Sequence, residues 1–125
     1  MTTDPAAIRM RAVDRWFGTV RALDGMDLEA PVGRLMTLLG PSGSGKTTAL
    51  RLIAGFDRPD SGTIEIQGRT VVGHDVFVAP ERRRVGMVFQ DYALFPHLDV
   101  VRNVGYGVSR PDRSNRVAEV LELVG

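Results

Sequence analysis

Leu38–Phe56 reads LLGPSGSGKTTALRLIAGF. Two leucines end an apolar run that starts at Leu35, and Gly40, Gly43 and Gly45 follow within six residues. Lys46, Thr47 and Thr48 come next, and then Leu50, Ile53 and Ala54 fall at helical spacing. The order is buried strand, glycine loop, helix. Gly40-Pro41-Ser42-Gly43-Ser44-Gly45-Lys46-Thr47 fits G-x-x-x-x-G-K-[ST]. Glycine permits positive φ and leaves no side chain between backbone and ligand. Successive amides can then turn inward as an anion cradle, backed by the free N–H groups of the helix start. Lys46 brings a mobile charge to terminal phosphates, and the Thr47 hydroxyl is a hard oxygen donor suited to Mg²⁺. These residues alone fit ATP and GTP equally.

Outward from this loop, the chain alternates short strands and turns. Ile8–Val13 alternates as a half-buried strand, with Trp16-Phe17-Gly18 as its turn. Val20–Ala30 predicts a second strand region, interrupted at Asp24-Gly25 and closed by Pro31-Val32-Gly33. Leu35–Leu39 and Val85–Phe89 are short, nearly all-apolar runs, which predict strands buried on both faces of a parallel sheet. The helix after the glycine loop stops at Gly55, a turn cluster fills 57–62, and Thr63–Gly68 alternates as an exposed-face strand. Past Gln90 the pattern turns to helix and loop. Val117, Val120, Leu121 and Val124 predict a last helix beginning near Pro111 and Asp112, whose Arg113, Arg116, Glu119 and Glu122 form a polar side.

The 125 residues suffice for one modest domain. Net charge is +1, so no overall field calls for nucleic acid. Without cysteine there is neither a disulfide framework nor a thiolate metal site. No run approaches the ~20 apolar residues of a membrane span, and the N-terminus lacks a secretory core, so a cytoplasmic chain is expected. His74 and His97 are isolated and predict surface or packing roles. Arg82-Arg83-Arg84 reads as a solvated flank, and Asp24, Asp27 and Glu29 as exposed charges.

GPSGSGKTTALRLIAGFDRPDSGTI resembles the phosphate loop, first helix and following turn of the ATP-binding subunits of ABC transporters. GMVFQDYALFPHLDVVRNVGYG resembles the Q-loop region of the same family. The likeness runs from about Ile8 to Gly125, and PERRRVGMVFQDYALFPHL is most similar to importer subunits for ferric iron, polyamines, sulfate or sugars. It implies an α/β P-loop fold with an antiparallel β subdomain and the start of a helical subdomain: a nucleotide-binding core over 1–90 and the Q-loop with the first helical part over 91–125. It implies ATP and Mg²⁺ as cofactors. Phe17 matches the aromatic that stacks on adenine, with Trp16 as the weaker candidate, and Gln90 matches the glutamine that meets the metal or the attacking water. Residues 91–97 match the segment that docks on transmembrane permease subunits at the inner membrane face. The intact protein is expected to form a homodimer and to hydrolyse ATP during import. A soluble ABC-type ATPase and a non-catalytic nucleotide-binding remnant are the alternative readings.

The family's signature LSGGQ, its hhhhDE strand and its switch histidine have no counterpart in these residues. Hydrolysis needs a positioned water, a metal bridge and transition-state charge stabilisation. The 125 residues alone are therefore expected to be catalytically incomplete. They are also expected to be poorly stable, because unpaired strand edges promote association.

Overall fold

A computed structural model describes residues 5–125. The chain divides into two compact units between Met87 and Val88. The first unit holds β1 (Ala6–Phe17), β2 (Val20–Pro31), α1 (Lys46–Ala54), β3 (Ser61–Ile66), β4 (Arg69–Gly73) and β5 (Val76–Phe77). Its strands make one antiparallel sheet in the order β2-β1-β3-β4-β5.

β1 pairs with a neighbour on each side, β2 and β3, and its residues show how sequence sets register. Arg9 lies between Glu29 on β2 and Glu65 on β3, with ion pairs of 3.4 and 3.2 Å. Cross-strand opposite charges of this kind favour one register over a slipped one. Met10 and Val13 both face the core although their spacing breaks the two-residue period. The break is a bulge: Ala12 takes φ 49°, and its N–H donates to Asp27 Oδ1 at 2.8 Å. An added residue of this kind re-aims the strand beyond it. β1 and β2 run on further than alternation predicts. Trp16 and Phe17 stay in the strand, and β2 continues through Asp24-Gly25. Asp14 secures that passage, since its Oδ1 accepts the Gly25 N–H at 2.7 Å.

Helix α1 lays Ala49, Leu52 and Ile53 against Met10, Val13, Leu23, Ile64, Val71 and Val72. Burying one such large apolar side chain is worth about 1.5–3 kcal/mol, so this layer supplies most of the adhesion between helix and sheet. The helix ends at Gly55, with φ 94°. A Cβ there would lie 2.8 Å from Arg83 Nε and 3.1 Å from Pro80 Cα. The close neighbour corrects the sequence reading of Arg82-Arg83-Arg84 as a solvated flank. Arg83 is buried, and its guanidinium donates to Val78 O at 2.7 Å, Leu52 O at 2.8 Å and Ile53 O at 3.2 Å. It supplies donors to the last carbonyls of α1, which have no partner inside the helix.

The two all-apolar runs differ from expectation. Leu35–Leu39 and Val85–Phe89 form no strand, and Leu35, Leu39 and Val88 are 96, 90 and 97% exposed. A strand exists only with a ladder partner, and all five strands of the sheet are already paired among themselves without these segments. Only Leu38 of the first run packs on the core.

The second unit carries α2 (Val100–Val104) and α3 (Arg113–Val124). Asp99 caps α2, accepting the Arg102 N–H at 2.8 Å. Asn103 folds the preceding loop. Its Nδ2 donates to Phe95 O, Leu98 O and Asp99 O at 3.2, 2.9 and 2.9 Å, and its Oδ1 accepts the Phe95 N–H at 2.9 Å. Val117 is the buried residue of α3, and Arg116 pairs with Glu119 at 2.8 Å on its outer side. Among the described residues, no helix is long and apolar enough to cross a membrane.

Candidate functional site

The phosphate-loop octet leaves Leu39 as irregular backbone and enters α1 at Lys46. The loop turns tightly, with Ser44 N–H on Pro41 O at 3.2 Å. Gly45 joins loop to helix at φ 93°. A Cβ at this position would stand 2.6 Å from Ala22 O and 2.9 Å from Leu23 Cδ2, so glycine is required twice, by conformation and by contact. The loop is thereby seated on β2. Lys46 reaches back over it: Nζ donates to Gly40 O, to Pro41 O at 2.9 Å and to Ser44 Oγ at 3.4 Å.

This arrangement can hold an anion. The N–H groups opening α1 face the loop, no acidic side chain occupies the first turn, and Lys46 adds a cation at the same place. Ser42, Gly43 and Thr47 are exposed, and Thr48 is half-buried. The donor chemistry also fits Mg²⁺. Among the described residues no cluster of histidine, cysteine or carboxylate could cage a metal. A lone hydroxyl such as that of Thr47 suits a cation that keeps several waters and takes phosphate oxygens as further ligands.

Phe17 ends β1 opposite Val20, with Trp16 opposite Arg21 and Arg15 opposite Leu23. Gly45 rests on Ala22 and Leu23, so the hairpin register brings the Phe17 end of the sheet beside the start of the phosphate-loop helix. Phe17 is 48% exposed and Trp16 42%, so each ring keeps surface for a partner. The Arg15 guanidinium lies 4.3 Å over the Phe17 ring, and Arg21 lies 5.4 Å over Trp16. Gln90 is an exposed bend residue of the second unit, whereas the phosphate loop and Phe17 belong to the first.

Comparison with known proteins decides the kinship. The description "ABC transporter" belongs to the family profile that matches residues 23–125. The chain belongs to the ABC transporter family. Among curated members, it is 44% identical to the Fe(3+) ions import ATP-binding protein FbpC of Pseudomonas fluorescens over 94% of its own length and 34% of that protein's. Against the spermidine/putrescine import ATP-binding protein PotA of Thermobifida fusca the identity is 50%, over 85% of this chain and 28% of the relative. The sulfate/thiosulfate import ATP-binding protein CysA of Rhodopseudomonas palustris is 45% identical over 94% and 35%. The chain thus spans about a third of the length of the curated relatives it matches. The dimeric bacterial ABC transporter cassette MJ0796 superposes with a TM-score of 0.77 at 28% identity, over 92% of this chain and 56% of that one. The same cassette in a post-hydrolysis state bound to ADP and Pi gives 0.76.

The ABC fold is therefore the fold of this chain: an α/β P-loop architecture, present here as the glycine loop, its helix and the antiparallel β subdomain. Sequence reasoning on this ABC chain missed the residues behind Phe17. Arg15 Nε and Nη2 donate to Asp57 Oδ2 and Oδ1, each at 2.9 Å. The pairing raises the Arg15 pKa. Burial pushes the Asp57 carboxyl up, but hydrogen bonds from Arg15 and from the Arg58 N–H outweigh it and leave its pKa below the usual range. The only sequence signal was an arginine two positions before the aromatic and an aspartate in the turn after the helix.

Proposed function

We propose that this chain is the nucleotide-holding part of an ATP-binding subunit that couples ATP binding and hydrolysis to solute import through an ABC transporter. The observation that carries the reading is the glycine loop seated on β2, with Lys46 Nζ folded over Gly40, Pro41 and Ser44. In this role Gly43, Ser44 and Gly45 present their amides to the phosphates, and Lys46 neutralises the terminal ones. Phe17 stacks on the adenine ring, a contact worth about 1–3 kcal/mol. Thr47 would offer its hydroxyl to Mg²⁺, and the amide of Gln90 would meet a metal ion or orient a water. The metal, when bound, offsets the negative charge of the phosphate oxygens.

Residues 91–97 carry the contact with transmembrane permease subunits. Tyr92 and Leu94 are 94 and 70% exposed there, and an apolar patch of this kind suits a protein interface. The subunit works as a homodimer on the cytoplasmic face of the membrane, and similarity to FbpC and PotA favours ferric iron or polyamine as solute. Substituting Lys46→Ala in the intact protein tests the core of the reading. Equilibrium binding of ATP should be lost, and wild-type affinity in that variant would sink the assignment.

A further inference from the structure

Phe17 is not a free ring on a hairpin end. Arg15 covers one of its faces at 4.3 Å, and the guanidinium has little freedom to leave. Two of its arms form the bidentate pair with Asp57 at 2.9 Å. The third donates to Trp16 O at 2.9 Å and meets Asp60 Oδ2 at 3.5 Å. Asp60 Oδ2 in turn accepts the Trp16 N–H at 2.7 Å. Every arm is engaged in the plane of the guanidinium, so the plane itself is fixed and its face is what remains to meet Phe17. A bidentate carboxylate fork gives this kind of geometric definition, which a lysine cannot reproduce. Asp57 and Asp60 belong to the turn that follows α1, and α1 begins at the phosphate loop. One helix therefore connects the phosphate loop at its start with the turn that holds Arg15 beyond its end.

We propose that Arg15 is a positioning residue for base recognition: it backs one face of Phe17, is locked there by Asp57 and Asp60, and leaves the opposite face as the platform for a purine base. The inference rests on the reading of Phe17 as the base-stacking residue and deepens it. The order is guanidinium, phenyl ring, base. The cation orients the ring without touching the nucleotide, and its contribution concerns the base alone.

Equilibrium binding to the intact protein, with ATP and inorganic tripolyphosphate as the two probes, separates the contributions. Arg15→Ala should weaken ATP about three- to tenfold, the range of a partly exposed cation–ring contact, and leave tripolyphosphate within about twofold. Arg15→Lys keeps the charge and its attraction to Asp57 but loses the planar fork, and should weaken ATP in the same sense. In the Arg15→Ala, Phe17→Ala double variant, ATP affinity should match that of Phe17→Ala alone. Equal losses for both probes, additive losses in the double variant, or tighter ATP binding once Arg15 is removed would each overturn the proposal, the last by showing that Arg15 blocks the face the base needs. If Phe17→Ala leaves the ratio of the two affinities unchanged, the stacking role of Phe17 falls, and the proposal with it. If Phe17→Ala changes the ratio and neither Arg15 variant does, only the role of Arg15 falls.

Discussion

At Arg83 two requirements meet. The last carbonyls of a helix need donors, and a buried guanidinium needs acceptors. Leu52 O, Ile53 O and Val78 O satisfy both at once, although Nη2 remains buried without a partner among the described residues. Among the described residues no carboxylate pairs with this charge, and burial lowers the Arg83 pKa from its ordinary value. Arg83→Met keeps most of the volume and removes the donors. It should destabilise the intact protein by about 1–3 kcal/mol, the cost of leaving buried acceptors unsatisfied. Denaturant midpoints measure this, and an unchanged midpoint would show that the carbonyls find water instead. The contrast with Lys46 explains what single residues disclose in a sequence. Lys46 is legible because its partners, Gly40, Pro41 and Ser44, lie within six positions of it. Arg83 reads as one of three flanking arginines because its acceptor Leu52 is 31 positions away. Arg15 is hidden for the same reason, with Asp57 42 positions along the chain.

Among the elements, α1 and the strands β1 to β3 are legible because their apolar residues keep a period. The bulge at Ala12 is not, since it depends on the Asp27 carboxylate of the neighbouring strand. β4 and β5, with five and two residues, are too short to show a period at all. Leu35–Leu39 has the composition of a buried strand and lacks the pairing, which composition does not encode. In the second unit the loop ahead of α2 has no ladder either, and Asn103 replaces one. A single amide makes four hydrogen bonds to the backbone of 95–99. Asn103→Ala removes all of them, and the first loss is local: the Phe95 N–H loses its acceptor. Hydrogen exchange at Phe95 in the intact protein should speed up by as much as about tenfold, because one hydrogen bond contributes about 0.5–1.5 kcal/mol. Exchange in β1 and β3 should stay as it was. Unchanged protection at Phe95 would mean that the loop holds its shape without the clamp.

Across the first unit, packing of α1 on the sheet is reinforced at one end by carboxylates. Asp14 Oδ1 accepts from Arg21 and from the Gly25 N–H, each at 2.7 Å, and its Oδ2 accepts from Ser61 Oγ at 2.9 Å. Asp57 holds Arg15. Together they tie the β1–β2 hairpin to the turn after α1 and to the start of β3. Both carboxyls titrate below their usual range. For Asp14 the Arg21 hydrogen bond is the main cause, followed by the Gly25 N–H and Ser61. A depressed carboxylate binds protons more readily in the unfolded chain, so its stabilisation is complete above the unfolded pKa of about 3.9 and is lost as pH falls through the lower folded value. Arg15 and Arg21 shift upward and remain charged throughout, so they add no slope in that window. Unfolding free energy of the intact protein should therefore fall steeply below about pH 4 and stay nearly level from there to neutrality as far as these two groups decide it. Asp57→Asn keeps the shape of the side chain but removes its titration. It should lower stability at neutral pH and make the acid slope shallower, because the variant has already lost what protonation would remove. Denaturant titrations at a series of pH values measure both effects. A variant whose acid slope equals that of the parent would show that the Arg15–Asp57 fork, though well formed, contributes nothing to holding the hairpin against the helix.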